Sequence, residues 1–119
     1  MLEINQTAPD FTTTNQDDKT VSLSQFKGAQ HVVLYFYPKD DTPGCTVEAN
    51  EFTALVAEFA AADTVVLGVS KDSGAQHLKF IAKHALKDEL LADTSGDVCA
   101  KYGVWCERQV MGNTYMGIA

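Results

Sequence analysis

His31-Val32-Val33-Leu34-Tyr35-Phe36-Tyr37-Pro38-Lys39-Asp40-Asp41-Thr42-Pro43-Gly44-Cys45-Thr46 is the stretch whose reading decides the fold. Its first half is apolar without alternation, the pattern of a strand covered on both faces. A short polar turn follows, and an amphipathic segment begins near Thr42. Thr42 suits a helix N-cap and Pro43 the first helical position, where proline's missing N–H would be unpaired anyway. Cys45 therefore falls in the first turn of a helix, beyond the carboxyl end of a buried strand. Unpaired N–H groups and the positive end of the helix dipole favour thiolate over thiol there. A lone cysteine is more often a small buried hydrophobe, but this placement argues for chemistry.

Outward from that stretch, Phe52, Leu55, Val56 and Phe59 recur at helical spacing and predict the inward stripe of the helix. Glu48, Glu51 and Glu58 suit its outer face; Glu48 is equally consistent with a functional role or with the preference for acids in early helical turns. Thr64 to Val69 reads as a second buried strand, which completes a βαβ unit with parallel strands and a right-handed crossover. Ser73 can cap a further helix with an apolar stripe of Leu78, Ile81, Ala82 and Ala85, and Leu90 to Ala92 is a short strand. Asp97 to Tyr102 predicts a short helix ended by Gly103.

Upstream, residues 1–10 form a lead-in ending near Pro9. Phe11 to Thr14 and Lys19 to Leu23 predict a hairpin around a polar turn, and Ser24 to Gly28 a single helical turn. Val110 to Tyr115 reads as a turn leading into a strand. The fold class is α/β, organised as one domain over residues 1–119.

A net charge of −7, with Arg108 the one arginine and eight scattered lysines, argues against nucleic acid as a partner. No apolar run is long enough to cross a bilayer, and the amino end lacks the pattern of a signal peptide. The expected location is the cytoplasm. Cys45, Cys99 and Cys106 form an odd set without C-x-x-C or paired zinc-ligand spacing, so the expectation is reduced thiols, no metal and no cofactor. His31, His77 and His84 show no ligand spacing and are assigned surface or packing roles.

At Pro38-x-x-x-Thr42-x-x-Cys45 the chain resembles a peroxiredoxin. The longer string from Tyr35 to Glu48 resembles the bacterioferritin comigratory protein (PrxQ) branch. Ala8-Pro9-Asp10-Phe11, Leu67-Gly68-Val69-Ser70, Tyr102-Gly103-Val104-Trp105 and Met111-Gly112 extend the likeness along nearly all of the sequence. The resemblance implies a thioredoxin-like fold of the peroxiredoxin type. It implies reduction of hydrogen peroxide and organic hydroperoxides by Cys45 as the peroxidatic cysteine. Thr42 and the backbone N–H groups of Gly44 and Cys45 would bind the peroxide oxygens, with Pro38 covering the sulfur. The product would be a sulfenic acid, and the branch likeness implies a monomer.

Two departures from the family pattern shape the expected cycle. Many members carry a resolving cysteine five residues after the peroxidatic one, where this chain has Asn50, and residues 74–86 hold no cysteine. Cys106 or Cys99 could resolve Cys45 only if local unfolding brought the Cα atoms within roughly 7 Å. Cys106, in a less regular stretch, is the better of the two. The default is a one-cysteine cycle in which thioredoxin, glutaredoxin or a low-molecular-weight thiol supplies the second sulfur. The family's catalytic arginine is expected just after Tyr115 to Ala119, so the sequence reads as truncated, with C-terminal strands and the last helix missing. A weakly active polypeptide would follow. Alternatives of other classes are a thiol–disulfide oxidoreductase and a catalytically weak, thioredoxin-like binding or holdase fragment.

Overall fold

The computed structural model describes the backbone of residues 6–110 and 113–118, and the side chains of residues 6–44 and 46–104. In chain order the strands are β1 (Thr12–Asn15), β2 (Thr20–Ser22), β3 (His31–Phe36), β4 (Thr64–Ser70), β5 (Glu89–Ala92), β6 (Trp105–Val110) and β7 (Asn113–Ile118). The helices are α1 (Pro43–Ala54), α2 (Val56–Ala61), α3 (Gly74–His84) and α4 (Asp97–Lys101), with a 3-10 turn at Leu23–Phe26.

Five strands form a mixed sheet in the order β2-β1-β5-β4-β3. β3 and β4 run parallel from His31 opposite Thr64 to Phe36 opposite Val69, as the βαβ reading requires. β4 and β5 are parallel, whereas β1 joins β5 and β2 antiparallel. β6 and β7 pair with each other as a separate hairpin, Arg108 opposite Tyr115.

Side-chain alternation along the strands divides the core in two. Leu67 and Val69 of β4 and Leu91 of β5 pack with Phe11, Val98, Cys99 and Tyr102 on the α4 face. Tyr35 of β3 and Leu90 of β5 pack with Ala49 of α1 and Phe80 of α3 on the other. Gly68 leaves room on that second face: a Cβ there would lie 2.7 Å from the Tyr35 ring and 2.8 Å from Leu90.

Four expectations need correction. β3 is only partly buried, because among the described residues it forms the edge of its sheet. The first long helix breaks at Leu55, which is 41% exposed instead of lining the stripe. The buried face of α3 is His77 and Phe80, flanked by Ile81 and His84; Leu78 is 46% exposed, and Ala82 and Ala85 are exposed too. Cys106 lies within β6, a regular strand. The predicted cap of α3 is present, with Gln76 N–H donating to Ser73 Oγ at 3.2 Å and Ser73 N–H to Gln76 Oε1 at 2.9 Å.

Candidate active site

The loop between β3 and α1 is built from residues that leave the sheet by different routes. Tyr37 extends β3 by one bond, its N–H donating to Val69 O at 3.0 Å, and its ring is buried. Pro38 and Lys39 then turn into solvent. Asp40 turns inward and Asp41 outward, the latter with a φ of +62°, a left-handed conformation that aspartate tolerates better than most residues. Thr42 returns to extended backbone and α1 begins.

Thr42 occupies the N-cap position, but its hydroxyl makes no cap bond; it donates to Lys39 O at 3.1 Å. Its carbonyl starts the helix, accepting from the Thr46 N–H at 3.0 Å and the Thr46 hydroxyl at 2.8 Å. Pro43, at the first helical position, has no N–H. The first-turn amides that point out of the helix end are therefore those of Gly44 and Cys45. The Thr42 side chain makes no cap bond, which corrects the expectation that it would cap the helix. Cys45 sits at the third helical position, where dipole and amides favour an anion. Its side chain lies outside the described residues, as does that of Cys106.

Helix α3 holds this loop at two points. At its exposed end, Asp41 accepts from Lys83 Nζ at 2.5 Å and pairs with His84 Nε2 at 2.7 Å. Hydrogen bonds from Lys83, first, and His84, second, hold the Asp41 carboxyl below the usual carboxylate range. At the buried end, Asp40 Oδ2 lies 2.7 Å from His77 Nδ1, and Asp40 Oδ1 accepts from the Tyr37 hydroxyl at 2.6 Å. The Asp40 N–H donates to Asp72 Oδ2 at 2.8 Å, and that same oxygen accepts from Ser70 Oγ at 2.7 Å. Burial, then the hydrogen bond to Asp40 and its charge, pushes the Tyr37 phenol far above its ordinary value, so it stays a donor.

A second tether fixes α1 itself. Tyr35 stacks on Phe52 of α1 with ring centroids 4.6 Å apart. Its hydroxyl donates to Asp88 Oδ2 at 2.9 Å, while Thr53 of α1 donates to Asp88 Oδ1 at 3.0 Å. Burial raises the Asp88 carboxyl, and the two hydroxyl bonds offset part of that rise.

Cys99 stands apart from this site. It is 0% exposed in the α4 face of the core. Burial, and then the neighbouring Asp93, pushes its thiol up to about 12. Asp93 is committed to the amino end of α4, accepting the N–H groups of Val98 at 3.1 Å and Cys99 at 2.9 Å. A buried, protonated thiol is a poor resolving group, which weighs against Cys99 in that role. A cavity of about 490 Å³ is lined by Thr7, Leu23, Phe26 and Val32 among others and includes no residue of the cysteine loop.

Sequence reasoning placed Pro38, Thr42, Gly44 and Cys45 on one loop and helix turn, and the structure does so. It missed the buried group behind them, Tyr37, Asp40, Ser70, Asp72 and His77. The available signal was the spacing of His77, Phe80, Ile81 and His84, which marks a helical stripe once histidine is counted as able to face inward.

The AhpC/TSA family model matches residues 4–117. Peroxiredoxin Bcp of Bacillus subtilis (strain 168) is 45% identical over 117 residues, covering 98% of this chain and 74% of the relative. Peroxiredoxin Bcp of Escherichia coli (strain K12) is 42% identical with the same two coverages, 98% and 74%. The bacterioferritin comigratory protein of Xanthomonas campestris superposes with a TM-score of 0.82 at 36% identity, covering 91% of this chain and 68% of that one. Peroxidoxin BcpB of Mycobacterium tuberculosis gives 0.80 at 35%, covering 94% and 71%. With a mixed sheet, a cysteine in the first turn of the helix after β3 and these matches, the chain belongs to the AhpC/TSA family, in its Bcp (PrxQ) peroxiredoxin branch, and has the thioredoxin-like fold of that branch.

Proposed function

We propose that this protein is a thiol-dependent peroxidase in which Cys45 reduces hydrogen peroxide and organic hydroperoxides. The observation that carries the reading is Cys45 at the third position of α1, behind a proline that has no amide to donate. The X. campestris neighbour has been studied for alkyl peroxide reduction, which supports including organic hydroperoxides. In the first step the Cys45 thiolate attacks one peroxide oxygen. An S–O bond forms, the O–O bond breaks, and sulfur loses two electrons. The departing hydroxide or alkoxide leaves as water or alcohol after taking a proton. The amides of Gly44 and Cys45 bind the oxygens as charge moves between them; the Thr42 hydroxyl joins them by giving up its bond to Lys39 O, and the family likeness assigns Pro38 to cover the sulfur.

A reductant thiol then condenses with the sulfenic acid, releasing water and forming a mixed disulfide, and a second thiol frees Cys45. With Asn50 five residues after Cys45 and Cys99 buried, that thiol is external: thioredoxin, glutaredoxin or a small thiol. Cys106 is the remaining internal candidate. Among the described residues no helix is long and apolar enough to cross a membrane; we take the protein to act as a cytoplasmic monomer. Mass spectrometry after one equivalent of peroxide, on the wild type and on Cys45→Ser, Cys99→Ser and Cys106→Ser, tests the cycle. Sulfenylation confined to Cys45 is expected. A Cys45–Cys106 disulfide would replace the one-cysteine cycle, and an unoxidised Cys45 would remove the peroxidase reading.

A further inference from the structure

His77 is 0% exposed and bonded on both ring nitrogens. Nε2 lies 2.9 Å from Leu91 O, and because a carbonyl can only accept, Nε2 carries hydrogen. Nδ1 lies 2.7 Å from Asp40 Oδ2, so a proton is shared between ring and carboxylate. The Tyr37 hydroxyl donates to the other Asp40 oxygen at 2.6 Å and lies 3.4 Å from Nδ1. A buried pair of this kind is costly to desolvate and is weak support for stability. What it does supply is one geometry. It ties the centre of α3 and the backbone of β5 to a residue five positions ahead of Cys45. Peroxide chemistry as described above uses none of these groups.

We propose that His77 is a positioning residue for peroxide reduction, holding through Asp40 the Tyr37–Thr42 loop and hence the first turn of α1 that presents Cys45. The inference rests on the peroxidase reading. The two ends of the clamp differ in kind. Asp41 with Lys83 and His84 is an exposed cluster that solvent screens. Asp40 with His77 and Tyr37 is dry, and its loss leaves buried groups unsatisfied. Asp72 faces the same turn through its bond to the Asp40 amide, and its other partner is Ser70. Backbone position at Thr42 and Gly44 is thereby set from α3, and a displacement of about 1 Å at a reacting centre can cost on the order of 100-fold in rate.

The test is the second-order rate constant for Cys45 oxidation by hydrogen peroxide, measured by rapid mixing well below each variant's thermal midpoint. The chains are wild type, His77→Leu, Asp40→Ala, Asp40→Asn and the double variant His77→Leu with Asp40→Ala. His77→Leu and Asp40→Ala are each expected to lose about 10- to 100-fold. Asp40→Asn should recover to within about threefold of wild type, because its amide still offers an oxygen to Tyr37 and an N–H to Nδ1 of a neutral ring. The double variant should be no slower than the slower single, since both changes cut one connection. The Cys45 thiolate titration should move to higher pH in His77→Leu, a readout that lost stability alone does not shift. Variant rates equal to wild type, or no recovery in Asp40→Asn, would overturn the inference. If both apolar variants fail to fold while Asp40→Asn matches wild type, the group serves folding only and the inference also fails. A wild type no faster than free cysteine would instead sink the peroxidase reading itself.

Discussion

Alkylation of the folded protein should leave Cys99 untouched. Its thiol is raised from 9.0 to about 12 by burial and by Asp93. At a pH of about 8, a thiol with the unshifted value is ionised to roughly one part in ten, and the raised thiol to roughly one part in 10,000. Thiolate abundance alone therefore slows reaction about 1,000-fold, before the zero exposure of the side chain is counted. Reagent reaches it only through opening of α4, whose amino end Asp93 holds with two amide bonds. The assay is a time course with iodoacetamide, read by mass spectrometry of tryptic peptides, with and without urea. Cys99 should label slowly in buffer and fully in denaturant. Labelling in buffer at the rate of free cysteine would refute the burial argument and reopen Cys99 as a resolving thiol.

Three further outcomes follow from the same structure. Gly68→Ala should cost about 1–3 kcal/mol in urea denaturation, because its Cβ would meet the Tyr35 ring at 2.7 Å; a neutral result would mean the ring moves aside at no cost. Ser73→Ala removes the cap of α3 and should cost about 1 kcal/mol in the same assay; an unchanged midpoint would mean that the cap contributes nothing. Stability should fall at alkaline pH: Cys99 binds its proton more tightly when folded, so its contribution is complete below pH 9.0 and is lost as pH rises towards about 12. Tyr37 and Tyr102, also raised by burial, add to the descent, and Cys99→Ala should make it shallower in urea titrations over that range.

Much of the site-bearing architecture was legible because its signals are local. The apolar run of β3, the Thr42-Pro43 start and the apolar run from Thr64 to Val69 each depend on neighbours in sequence. The register of α3 was not legible in the same way. Leu78 is apolar yet exposed, and His77 is polar yet buried, because the partners of His77 come from Asp40 and the Leu91 carbonyl, far along the chain. The break at Leu55 escaped a reading based on periodicity, which runs through it. Thr42 illustrates a finer limit: the sequence identifies a cap residue, but only the loop's path shows its hydroxyl turned onto Lys39 O. The edge position of β3 depends on which strands pair, and a uniformly apolar run does not reveal that.

The central claim is that the sulfur of Cys45 is ionised near neutral pH and selective for an O–O bond. Ultraviolet titration of its thiolate, combined with its rate of reaction with hydrogen peroxide on Cys99→Ser with Cys106→Ser, measures both. The account predicts ionisation well below that of free cysteine, about 8.5, and a peroxide rate orders of magnitude above it. A Cys45 that titrates like free cysteine and reacts with peroxide no faster would contradict it.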